Sequence, residues 1–341
     1  MLKKLALSLV SLLVALLGAE LLLRATGAAP EVSIIRKGRF QLSPNPKIGY
    51  EPVPSVHYEG TDLSFYDYQG ASNSQGFRDT EHAVAKPPGV YRIVVLGDSI
   101  AAGLKVLRTD RTFPPILERL LRLSGVKAEV INLAVSGYNT QQEVELLKEK
   151  GLRYRPDLVL VAYSLTDRER MDGDILKTLL EAERQKGGSA TRANPVLLHS
   201  ALYRFFRYRV LTPRPAPAAG GADPELQKQL DLISGDTVAE SFGVLSRLSK
   251  ENGFQVLIAV FPRLVHNFHA YPYGDQHKYV ADLSARYGFH HLDLLAPFLR
   301  CREASGLRLD ADSYHPAPYG HHCAAVALAR TIVEELGPPR S

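Results

Sequence analysis

The sequence predicts an α/β protein, with a parallel sheet covered by helices on both faces and an apolar helix ahead of it. Three observations carry this. From Tyr91 onward, short β-branched runs alternate with stretches whose apolar residues recur at helical spacing. Apart from polar residues such as Arg92, Glu129, Asn132 and Asp157, the runs are apolar and do not alternate, as in strands buried on both faces. Before them, Leu5 to Leu23 holds a single charge, Glu20.

The N-terminal stretch reads as a membrane address. About 20 apolar residues span a bilayer as a helix, whereas the apolar part of a cleaved signal is about 7–15 residues long. Lys3 and Lys4 favour a cytoplasmic N-terminus and an exported remainder. Residues 1–27 are therefore expected to be a signal anchor, or a signal peptide cut near Ala25 and Gly27. Either way the folded part is expected on the extracytoplasmic (periplasmic) side, held at the inner membrane or, if cut, secreted. Residues 28–90, rich in Pro, Gly, Tyr and Ser, read as an irregular lead-in. It has short extended candidates at Val56–Tyr58 and Leu63–Tyr68 and a closing turn at Asn73–Arg78.

Residues 91–337 form the α/β domain. Strands are expected at Arg92–Leu96, Glu129–Leu133, Asp157–Ala162, Phe254–Phe261 and Phe289–Leu292. Helices are expected near Pro115–Ser124, Thr140–Lys150, Thr237–Lys250, Gln276–Tyr287 and Pro318–Glu335. Thr140-Gln-Gln-Glu143 has the form of a capping box opening the second of these. Residues 168–235 break the rhythm with an aromatic-basic helix candidate, Leu202–Val210, and a Pro/Ala/Gly-rich loop, Thr212–Pro224. Tyr203, Phe205, Phe206 and Tyr208 read either as packing beneath a cap or as a lid over a cleft.

Composition narrows the function. The chain is 45% hydrophobic and 23% charged, as a folded protein is. Its net charge of +5 is scattered, and it has no Trp, which argues against nucleic acid as a partner. Cys301 and Cys323 make no CxxC pair, so a structural zinc is not expected. They read as small apolar side chains, with a disulfide open to them outside the cytoplasm.

The chemistry-bearing residues stand at strand ends. Gly97-Asp98-Ser99 follows the first strand directly, where open α/β sheets place ligands. A serine hydroxyl there needs a base to become nucleophilic. Asp312-Ser-Tyr-His315-Pro316 lies just before the last helix. An aspartate three residues ahead of a histidine can accept from the ring Nδ1–H and leave Nε2 to take a proton. The order Ser, Asp, His also occurs in α/β-hydrolases, but their G-x-S-x-G elbow is absent. Asp310 competes with Asp312 as the orienting carboxylate. His266 and His269 are candidates for lining the cleft, and His321 and His322 read as structural or surface residues. No G-x-G-x-x-G supports a dinucleotide.

These segments resemble the SGNH/GDSL hydrolases. Val94-Val-Leu-Gly-Asp-Ser99 looks like their first block, Asn132-Leu-Ala-Val-Ser-Gly137-Tyr-Asn-Thr140 like the second, and Asp312-x-x-His315-Pro like the last. The resemblance covers residues 90–335, and the lead-in around Asn73–Arg78 resembles that of membrane-anchored bacterial members. It implies a three-layer, flavodoxin-like fold, hydrolysis of acyl esters and no cofactor or metal. It also implies a triad of Ser99, His315 and Asp312, with oxyanion donors from the N–H groups of Ser99 and Gly137. One block departs from the pattern. Where the family carries Gly-x-Asn-Asp, this chain reads Ser164-Leu-Thr166-Asp167, so a threonine hydroxyl at Thr166 stands in for an asparagine amide. Asn139 is a second source of an amide.

The expected activity is a serine esterase acting on an O-acyl ester, such as an acylated envelope glycan or a lipid. The alternatives are acyl transfer on the same triad, and a non-catalytic glycan-binding or assembly protein that kept the fold.

Overall fold

The computed structural model describes residues 2–26, 28–29, 39–58, 70–168, 175–180, 197–210, 228, 231–232 and 237–338. Helix α1 (Leu2–Thr26) comes first. Its stretch Leu7–Thr26 is long and apolar enough to cross a membrane, with a mean hydropathy of 2.0 and none of it buried in the protein. The lead-in forms two small antiparallel ribbons, β1 (Phe40–Leu42) with β2 (Tyr50–Pro52), and β3 (His57–Tyr58) with β4 (Gly70–Ala71). The candidate at Leu63–Tyr68 lies outside the described residues.

The main domain follows as β5 (Tyr91–Gly97), α2 (Phe113–Leu123), β6 (Ala128–Asn132), α3 (Thr140–Glu149) and β7 (Leu158–Ser164). After the insert, which carries α4 (Ala201–Phe205), come α5 (Val238–Asn252), β8 (Gln255–Phe261), α6 (Gly274–Tyr287) and β9 (His290–Asp293). Two helices, α7 (Leu295–Ser305) and α8 (Pro318–Thr331), complete it. The sheet is parallel throughout, in the order β6-β5-β7-β8-β9. This is the three-layer α/β/α arrangement that the sequence predicts.

Each central strand divides its side chains between two cores. Ile93 and Val95 of β5, Leu160 of β7 and Ala259 of β8 face the core shared with α2 and α8. Val94, Leu96, Val161 and Ile258 point the other way, toward α3, α5 and the lead-in residues Ile48, Tyr50 and Phe77. This two-sided burial is the reason the strands lack polar alternation.

Two local readings change. The cap of α3 sits one residue earlier than Thr140. Asn139 Oδ1 accepts from the Gln142 N–H at 3.1 Å, and Gln142 Oε1 accepts from the Asn139 N–H at 3.1 Å. Asparagine caps as well as threonine, and the shift releases Glu143 into the interior. Helix α7 was not expected. Of its residues only Phe298 is fully buried, and Pro297 falls within its first turn, where proline is tolerated. Cys301 on α7 and Cys323 on α8 form a disulfide that ties these helices together.

Candidate active site

Strand order reverses at β5, because β6 lies on one side of it and β7 on the other. The C-terminal ends of these three strands deliver Ser99, Gly137 and Thr166 to one edge of the sheet. Close packing makes the turn after β5 possible. A Cβ on Gly97 would stand 2.7 Å from the Ala101 Cβ and 3.1 Å from that of Ala162. Asp98 then accepts the Ile100 N–H at 2.8 Å, and the Leu104 N–H closes onto the Ser99 carbonyl at 2.9 Å.

Ser99 Oγ lies 2.9 Å from His315 Nε2. His315 Nδ1 lies 2.9 Å from both carboxylate oxygens of Asp312. Asp312 also accepts the N–H groups of Tyr314 at 2.9 Å and His315 at 2.8 Å. Partial burial pushes the Asp312 pKa up. The hydrogen bonds from the His315 ring and from these two N–H groups outweigh it and hold the carboxyl below its ordinary value. The loop is pinned to the sheet, since the Leu264 N–H beyond β8 donates to the Ser313 carbonyl at 2.9 Å. Asp310 turns away, toward Arg308 Nε at 3.1 Å.

Gly137 adopts φ 82°, the left-handed region. Tyr50 of the lead-in braces this loop by donating its hydroxyl to the Ser136 carbonyl at 2.8 Å. Thr166 Oγ1 lies 2.7 Å from Ser164 Oγ and 3.5 Å from Asp98 Oδ2. Asn139 is committed to capping α3. His266 and His269 are exposed, the latter 3.6 Å from Glu303. His321 is buried, accepts the Phe113 N–H at Nδ1 and stacks on that ring. Burial lowers its pKa to about 3, so it stays neutral.

Several supports escaped the sequence reading. Arg78 is buried and donates to the carbonyls of Ala102 (3.2 Å), Gly103 (2.5 Å), Val106 (2.6 Å) and Leu107 (3.3 Å), gripping the loop after Ser99. Asn132 Nδ2 donates to the Ala101 carbonyl at 3.0 Å. Beneath the strand ends lie three buried carboxyls, Asp98, Glu143 and Asp167. Burial and mutual repulsion push Glu143 and Asp167 well above the ordinary carboxylate value, and burial raises Asp98. Thr140 Oγ1 donates to Asp167 at 3.2 Å, while among the described residues neither Glu143 oxygen has a hydrogen-bond partner.

The GDSL-like lipase/acylhydrolase family matches residues 95–323. No curated protein sequence matches the chain. Among solved structures, that of TesA is 15% identical and covers 71% of this chain and 97% of its own, with a TM-score of 0.41. The acetyl xylan esterase AlAXEase is 14% identical, covering 71% and 99%, with a TM-score of 0.44. A lipase/acylhydrolase from Enterococcus faecalis is 17% identical, covering 73% and 99%, with a TM-score of 0.44. At such scores these likenesses carry no argument of their own. The family match spans two thirds of the chain and includes both Ser99 and His315: the protein belongs to the GDSL-like lipase/acylhydrolase family of carboxylic ester hydrolases.

Proposed function

We propose that the chain hydrolyses an O-acyl ester through a covalent acyl-enzyme on Ser99. The reading rests on the continuous hydrogen-bonded chain from Ser99 Oγ through the His315 ring to Asp312. His315 Nε2 takes the hydroxyl proton as Oγ bonds to the acyl carbon, and the carbonyl electrons move onto its oxygen. The N–H groups of Ser99 and Gly137 hold that oxyanion. Thr166 Oγ1 donates to Asp98 Oδ2 at 3.5 Å, so it becomes a third oxyanion donor only by turning its proton away from that long contact. The tetrahedral species collapses, the C–O bond to the alcohol breaks, and the imidazolium protonates the departing alkoxide. Water repeats the sequence, releases the acid and restores Ser99. Asp312 keeps its charge throughout and steadies the imidazolium.

Helix α1 is read as a retained anchor, with the α/β domain on the extracytoplasmic side. The ester is then one that occurs there, on an acylated glycan or a lipid. The deciding experiment compares the protein with Ser99→Ala on short acyl esters and acetylated glycans, and labels both with a fluorophosphonate. Loss of turnover and labelling in a variant with unchanged melting is expected. Unchanged turnover would refute the role of Ser99.

A further inference from the structure

Glu20, the lone acid of the apolar stretch, is not spare charge. Its two oxygens accept the N–H groups of Ala201 and Leu202 at 2.8 Å each and the Ser200 hydroxyl at 3.0 Å. Arg24, one turn on, donates to Glu20 at 2.7 Å and to the His199 carbonyl at 2.7 Å. α1 is thus clamped to the start of the helical segment formed by α4 and a π-helical turn, Phe206–Val210.

The depth of this clamp is fixed by helix geometry. A hydrocarbon core of about 30 Å takes up roughly 20 residues at about 1.5 Å each, from Leu5 to Arg24. Glu20 then lies roughly 6 Å inside the far boundary. A carboxylate is costly there unless its partners come to it, and the partners are residues 200–202. The segment therefore begins at membrane depth and leaves along the surface. Leu202, Phe206 and Val210, spaced four apart, share one face of it. Phe206 is 49% exposed, Val210 55% and nearby Leu197 45%. Arg204 and Arg207 interleave with them, the aromatic and basic mixture of bilayer interfaces.

We propose that the segment 197–210 is a second membrane contact, an interfacial helix whose Phe206 and Val210 enter the lipid headgroup boundary beside α1. The insert joins β7 to α5, so this contact sets the height of the sheet edge carrying Thr166 above the bilayer. The inference rests on the anchored reading of α1 and is independent of the catalytic roles.

The chain has no tryptophan, so a single introduced one reports without background. Full-length Phe206→Trp is reconstituted in vesicles of phosphatidylcholine and phosphatidylglycerol, with Val210→Trp as a second probe and Leu123→Trp, at a position 78% exposed on α2, as the water-facing control. Expected for Phe206→Trp and Val210→Trp are blue-shifted emission, loss of most intensity in vesicles with brominated acyl chains, and resistance to iodide. The control is expected to behave oppositely. Adding Glu20→Gln is expected to red-shift the Phe206→Trp emission and weaken bromine quenching. Iodide-quenched probes insensitive to bromine would overturn the proposal, as would probes shielded from both quenchers, which would mean protein covers the face. Mass spectrometry of the recovered protein keeps two failures apart. A chain beginning after Gly27 overturns the anchor and this inference together, whereas an intact chain with water-exposed probes overturns this inference alone.

Discussion

Gly137→Ala tests whether the loop after β6 is an oxyanion donor held by the lead-in. An added Cβ would stand 2.6 Å from the Tyr50 hydroxyl and 3.7 Å from Ile175 Cδ1. The Tyr50 ring cannot swing aside, because Phe40 and Tyr138 pack edge-on against it at centroid distances of 5.1 and 5.3 Å. At φ 82° the alanine costs about 1–2 kcal/mol in backbone strain. Breaking the buried bond to the Ser136 carbonyl adds about 1–3 kcal/mol, for a total of about 2–5 kcal/mol. Displacing one oxyanion donor lowers kcat by up to about 10²–10³ and leaves KM nearly unchanged, since that bond strengthens only in the transition state. Urea titration gives the first quantity and steady-state hydrolysis of p-nitrophenyl acetate the second. Tyr50→Phe removes the obstructing oxygen, so the double variant should be about 1–2 kcal/mol more stable than the two single losses predict by addition. Wild-type kcat in Gly137→Ala, or strict additivity with Tyr50→Phe, would refute the argument.

The remaining expectations concern the charged and covalent supports. Asp312→Asn should lower kcat by about 10³–10⁴ with little loss of fold, because the ring loses its orienting charge; a variant within about tenfold of the parent would leave Asp312 outside the mechanism. Since the Asp312 pKa is depressed in the fold, its contribution is present above the ordinary carboxylate value and lost as pH falls through the lower folded one. The opposite sign holds for Glu143 and Asp167, whose pKa values are raised. Their contribution is full below the ordinary value and lost as pH rises through the folded values, so the melting temperature should decline on the alkaline side. Glu143→Gln should flatten that decline; an unchanged slope would exclude Glu143 as its source. Replacing Cys301 and Cys323 by Ala removes a cross-link over 22 residues and should cost about 3 kcal/mol in urea unfolding, with kcat less affected than stability.

The parts of this protein that could be read in advance are those whose signal is local. A strand such as Leu158–Ser164, buried on both faces, is apolar along Leu158–Ala162 without alternation, and that shows in any window of the sequence. Ser99 and His315 were legible because each sits in a short motif at a strand or helix boundary. The supports were not, because their partners are remote. Arg78 looks like any surface arginine until the loop after Ser99 folds over it. Tyr50 gives no hint of Ser136, and Glu143 reads as a capping acid until Asn139 takes the cap. Helix α7 was missed because it buries little beyond Phe298, so its apolar stripe is faint.

The contact between Ser99 and His315 closes a separation of 216 residues. At about 5–20 residues per second, a ribosome takes about 10–40 s to make the stretch between them. Throughout that interval the hydroxyl has no His315 ring beside it, and on the proposed mechanism the growing polypeptide lacks its base. On that mechanism, chains broken off before His315 carry the nucleophile without the group that activates it.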